Sequence, residues 1–112
     1  MESILTSIKK LLGIAEDYHQ FDTDIIMHIN SVFSTLTQLG VGPQEGFRIE
    51  DDTATWDEFT GDNAFIESVK SYMYLKVRLL FDISSLGSAT IAAYERQIAE
   101  FEFRLNIAAE ST

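Results

Sequence analysis

Apolar residues recur at intervals of three and four along most of this 112-residue chain, and the recurrence breaks at a few defined places. That period puts side chains on one face of an α-helix and predicts four helices. The first runs from about Ser3 to Leu12, with Ile4, Leu5, Ile8, Leu11 and Leu12 on one face and Gly13 as a left-handed stop. A second opens near Asp22 or Thr23, whose side chains can accept from the free amides of a first helical turn. Ile25, Ile26, Ile29, Val32, Phe33, Leu36 and Leu39 then form a continuous apolar face that ends at Gly40.

From Val41 to Asp62 the helical period vanishes. Seven acids, Glu45, Glu50, Asp51, Asp52, Asp57, Glu58 and Asp62, surround a single Arg48. Irregular connections of this length are either functional or disordered. Phe47, Ile49, Trp56 and Phe59 are anchors that a disordered acidic linker does not usually carry. The expectation is therefore a partly ordered loop with a short extended piece at Phe47 to Glu50, clamped to the helices by Trp56 and Phe59.

The third helix is predicted from about Asn63 to Phe81, with Asp62 as its cap. At about 100° per residue its apolar side chains, from Phe65 to Leu80, spread over roughly 200° of circumference, more than one neighbouring helix covers. Either its own chain packs it on two sides, or a second side is buried by another subunit. The second reading makes Tyr74, Leu75 and Phe81 candidate inter-subunit contacts. A short Ser/Gly loop then leads into a fourth helix, whose Ile91, Tyr94, Ile98, Phe101 and Leu105 fall on one narrow stripe. Phe103 points nearly opposite that stripe and joins the candidate contacts. The fold class is thus all-α, a small bundle of four helices with a long irregular loop between the second and third, in one domain over residues 1–112.

Eighteen acidic against eight basic residues give a formal charge of −10. Nucleic-acid readers need a basic face, and here only Lys9 and Lys10 are adjacent, so DNA binding is disfavoured. Without cysteine, disulfides, thiolate metal sites and cysteine nucleophiles are excluded. The amphipathic start, Met1 to Lys10, has no long apolar run after it and reads as neither signal peptide nor membrane span, which makes an intracellular protein without membrane partners the expectation.

The sequence carries no catalytic, cofactor or metal constellation. His19 and His28 stand nine apart with no third ligand at metal-site spacing. Asp51-Asp52 and Asp57-Glu58 lack the alternating oxygens, central glycine and closing glutamate of a calcium loop. No glycine-rich phosphate loop or nucleophile elbow is present. The reading is a non-enzyme with no cofactor.

The closing segments, Tyr94-Glu-Arg-Gln-Ile98 and Glu102-Phe-Arg-Leu-Asn106 after the Asp82 loop, resemble the C-terminal signature of bacteriophage head-tail connector proteins, also called head-completion adaptors. The likeness extends over the short first helix, the Phe21-Asp-Thr-Asp-Ile-Ile26 opening of the second, the loop with Trp56 and the long third helix. Family members often carry proline after the aspartate and tryptophan before the closing Arg-Leu, where this chain has Ile83 and Phe103. The resemblance implies a virion protein at the head-tail junction, made in the host cytoplasm. It implies a cyclic homo-oligomer of about a dozen subunits, closed by head-to-tail contacts. That ring docks on the portal protein, continues the DNA channel and receives the next neck or tail-completion protein. DNA is then a partner only in transit, and an acidic lumen suits its passage because bound phosphates would brake it. Glu50, Asp51 and Asp52 are the candidate channel-lining acids. A different class stays open beside it: a small acidic helical binding module that sequesters a basic host protein, as a regulator or DNA mimic.

Overall fold

The computed structural model describes residues 3–60 and 65–110. Its helices are α1 (Ile4–Leu11), α2 (Asp22–Gln38), α3 (Trp56–Thr60), α4 (Ile66–Phe81) and α5 (Ser88–Glu110), with a single 3-10 turn at Ile83–Ser85. No strand occurs among the described residues, and the architecture is an all-α bundle. The long α4 is its centre, with α2 and α1 packed on one side and α5 on the other. This placement explains the broad apolar spread of α4, because Val69, Tyr72, Met73, Leu75 and Val77 are all buried between neighbours of the same chain.

Local chemistry sets the helix ends. Ser3 caps α1 by accepting from the Thr6 amide at 3.2 Å. Gly13 and Gly40 follow α1 and α2 in the left-handed region, at φ 80° and 87°, where side-chain-bearing residues are strained. The start of α2 differs from expectation. Phe21 holds the cap position without a side-chain cap, and Asp22 instead pairs with Lys9 at 2.8 Å. The expected start of α4 at Asn63 and its Asp62 cap lie outside the described residues, and the described helix begins at Ile66. α5 is longer than its apolar stripe, because Ser88 to Thr90 add a turn before Ile91 and Ile107 to Glu110 continue past Asn106. Along the stripe Ile98 and Leu105 are buried, while Ile91, Tyr94 and Phe101 are half-buried.

The acidic loop is held along most of its length. Phe33 of α2 is the hub of an aromatic cluster, with ring centroids 4.7 Å from Phe59, 5.1 Å from Phe47 and 6.3 Å from Trp56. Trp56 and Phe59 sit on α3, a single helical turn that the loop's broken periodicity did not signal. The Trp56 indole donates to Ser7 Oγ on α1 at 2.9 Å, so the loop is fixed to two helices. Its backbone also pairs with the start of α1, through the Ile4 amide on the Ala54 carbonyl at 3.0 Å. Gly42 lies at φ 90° and a Cβ there would overlap the Phe59 ring, so this turn accepts only glycine.

No strand forms at Phe47 to Glu50. There the Asn30 side chain takes the place of a partner strand: its amide donates to the Ile49 carbonyl at 2.9 Å and its carbonyl accepts from the Ile49 amide at 2.8 Å. Ile49 is buried, so both backbone groups depend on this one side chain. Asn30→Ala is expected to cost about 2–3 kcal/mol, because a buried amide and carbonyl lose their partner together. Asn30→Asp should not rescue it, since a carboxylate faces the Ile49 carbonyl with no proton to donate. Chemical denaturation together with hydrogen exchange at the Ile49 amide checks both; unchanged protection in Asn30→Ala would show the clamp to be dispensable.

Candidate assembly surface

The candidate contact residues fall in three different environments. Leu75 is only 6% exposed and belongs to the core, so within one subunit it supports the surface from beneath and is not presented to a partner. The wide apolar stripe of α4 leaves the direction of Leu75 open from sequence, and in the fold α5 covers the second side of that stripe. Phe81 is half-buried at the end of α4 and meets Phe21 edge-on at 5.4 Å, and Phe21 in turn lies 5.6 Å from Tyr18. These rings form an aromatic row beside the α1–α2 linker, flanked in sequence by exposed Leu80 and Ile83. Phe103 is 67% exposed on the outer side of α5, with exposed Ile107 one turn on.

Tyr74 lines an open groove of about 660 Å³ between α1, α4 and α5. Leu11, Tyr94 and Phe101 supply its other apolar walls, and the edge of Trp56 reaches it from α3. Burial, and then the neighbouring Tyr94 phenol to which it is hydrogen-bonded, push the Tyr74 phenol above its usual range, while nearby Arg78 pulls it down. Two cations stand on the rim. Lys10 is exposed, and Lys70 lies 3.5 Å from Glu67 and 5.8 Å from the centre of the Trp56 ring. Deeper between α4 and α5, buried Tyr72 donates to Glu102 at 2.7 Å, with Lys76 3.9 Å from the same carboxylate. Burial and that carboxylate hold the Tyr72 phenol far above its ordinary pKa, so it remains a donor. This polar contact joins α5 to the centre of the bundle.

The three candidate acids, Glu50, Asp51 and Asp52, are all exposed on the loop. The Thr53 hydroxyl and amide donate to Asp51 at 2.5 and 2.9 Å and hold its carboxyl below the usual range, so it stays ionised. A second groove of about 890 Å³ runs between α2 and residues 45–48, where Ile26, exposed Met27 and Phe47 meet polar side chains and Arg48. Sequence periodicity had assigned Leu11 to the core face of the first helix, yet it is 53% exposed at the groove mouth. No group of three histidine, aspartate or glutamate side chains is placed to hold a metal among the described residues. No helix of the described chain is long and apolar enough to cross a membrane.

An arrangement of apolar and aromatic surface on several sides, without a convergent set of acid, base and nucleophile, is suited to packing against other proteins. The model of the phage connector protein family matches residues 4–112, nearly the entire chain. The chain belongs to that family. Neither a curated protein nor a solved structure matches it. Connector proteins are structural components of phage virions, which assemble with other virion proteins. The bundle described above is therefore that of a phage structural protein.

Proposed function

We propose that this connector chain is a non-enzymatic subunit of a closed ring at the head-tail junction, docked on the portal and continuing the DNA channel toward the tail. The family match over residues 4–112 carries the reading. A subunit in such a ring needs two different surfaces for its two neighbours. Phe103 on the outside of α5, Tyr74 in the groove and Phe81 in the aromatic row lie on different parts of the bundle, which suits that requirement. Leu75 backs the groove from the core.

The acidic loop is proposed to face the channel. A net charge of −10 keeps duplex DNA unbound, and Glu50, Asp51 and Asp52 concentrate that charge on an exposed, well-anchored segment. The test is packaging and ejection of DNA by particles carrying Glu50→Lys, Asp51→Lys and Asp52→Lys together. All three side chains are exposed, so the subunit should fold and assemble, and the reversed charges should slow DNA passage. Normal transport in complete particles would remove the cluster from the channel, and loss of assembly would move it to a subunit or portal contact.

A further inference from the structure

The groove between α1, α4 and α5 combines apolar walls with basic side chains at its rim. It is an apolar recess walled by Leu11, Tyr74, Tyr94 and Phe101, and two of the chain's eight basic residues, Lys10 and Lys70, stand on its rim against a single acid, Glu67, which lies 3.5 Å from Lys70. A recess of this kind selects an apolar side chain carried on an acidic segment. The outer face of α5 has that character. Phe103 projects there at 67% exposure with Ile107 one turn on, and the exposed acids beside it are Glu100, which pairs with Arg104, and Glu110.

The two features also have the right directions. Successive residues of a helix turn by about 100°, so Phe103 lies roughly 200° from Phe101, which forms a wall of the groove. Socket and projection therefore occupy nearly opposite sides of α5 and cannot meet within one subunit. Two copies related by a two-fold axis would bring like surfaces together, whereas a head-to-tail arrangement places the projection of one copy in the socket of the next.

We infer that the groove is the socket for a second copy of this chain, filled by Phe103 of the neighbouring subunit, with Lys10 and Lys70 facing the acidic flank of that neighbour's α5. The inference rests on the ring reading and supplies its contact. Phe103 brings the buried aromatic area that dominates protein interfaces, and the rim charges fix polarity. The native chain has no cysteine, so introduced thiols report on this contact alone.

The experiment uses the full chain with Leu11→Cys, with Phe103→Cys, or with both. Leu11 and Phe103 are largely exposed, so neither change empties the core. Under mild oxidation, a mixture of the two single variants should give cross-linked pairs of one Leu11→Cys and one Phe103→Cys chain. The double variant should give a ladder of dimers, trimers and higher species. Pairs formed only between like variants, or no cross-link in assembled particles, would overturn the assignment. Protection of the Leu11→Cys thiol from maleimide by added portal protein, but not by more of the chain itself, would give the groove to the portal and overturn it as well. Native mass spectrometry of the parent chain with portal separates the two levels. A ring without the Leu11 to Phe103 link refutes the contact and leaves the ring, while a chain that remains monomeric on the portal refutes both.

Discussion

Phe33→Ala is expected to destabilise the subunit by about 3–5 kcal/mol, the range for emptying a fully buried aromatic site. Phe33 is fully buried on α2, and its ring contacts Phe47, Trp56 and Phe59. The substitution therefore removes the floor on which the acidic loop rests, and the three loop aromatics lose their common partner at once. Phe33→Leu keeps most of the volume and should cost about 1–1.5 kcal/mol. Urea denaturation followed by tryptophan emission checks this directly, because the only tryptophan, Trp56, is part of the cluster. With a denaturant slope of about 1–3 kcal/mol per molar for a small domain, the Phe33→Ala midpoint should fall by at least roughly 1 M. A midpoint within a few tenths of the parent would mean that the loop is held by its hydrogen bonds and that the aromatic cluster contributes little.

Most of the helical frame was legible because two simple signals coincide. The three-and-four spacing marks the faces of α1, α2, α4 and α5, and Gly13 and Gly40 supply the left-handed stops of the first two. Trp56 and Phe59 were legible as clamps because large aromatics in an acidic loop have no cheaper place than the core. The helix α3 was not, since five residues are too few to display a period. Leu75 and Leu11 exchange roles for a related reason: periodicity gives a residue's direction from its own helix but not which neighbour lies in that direction. Both line the same groove, Leu75 buried at its back and Leu11 exposed at its mouth.

The polar anchors were missed although a signal for them exists. Ser7, Lys9 and Asn30 each stand four residues from an apolar member of their stripe, namely Leu11, Leu5 and Ile26, and so lie about 40° from it on the helix surface. Each of the three turns out to hold an irregular segment: Ser7 accepts from Trp56, Lys9 binds the α1–α2 linker, and Asn30 clamps Ile49. A polar residue at the margin of an apolar stripe, next to a chain segment without secondary structure, is placed to satisfy that segment's backbone. Composition and charge counts cannot see this, because in them Lys9 is only one of eight basic residues.

Lys9 leads to the second large effect. Its side chain is 2% exposed, and the ammonium donates to the Glu16 carbonyl at 3.1 Å and the Tyr18 carbonyl at 2.6 Å and pairs with Asp22 at 2.8 Å. One cation thus ties the end of α1 to the linker and to the first residue of α2, beside the Tyr18, Phe21 and Phe81 row. Lys9→Met preserves the packed stem and removes the charge. It should cost about 2–4 kcal/mol at neutral pH, somewhat below the full cost of breaking a buried pair because Asp22 remains 21% exposed. The effect should depend on pH in a defined direction. Desolvation alone would raise the Asp22 pKa, but hydrogen bonds from Lys9 and His19 outweigh it and hold the carboxyl below its ordinary value of 3.8. A carboxylate stabilised in the folded state contributes its full share above that ordinary value and loses it as the pH falls through the lowered one. The gap in melting temperature between parent and Lys9→Met should therefore be widest from pH 5 to 7, by about 10–20 °C, and should narrow below about pH 4. Melting curves across that range decide it. A gap that stays constant into acid would assign the role of Lys9 to the two carbonyls, and no gap at any pH would show that the linker is held by its aromatic row.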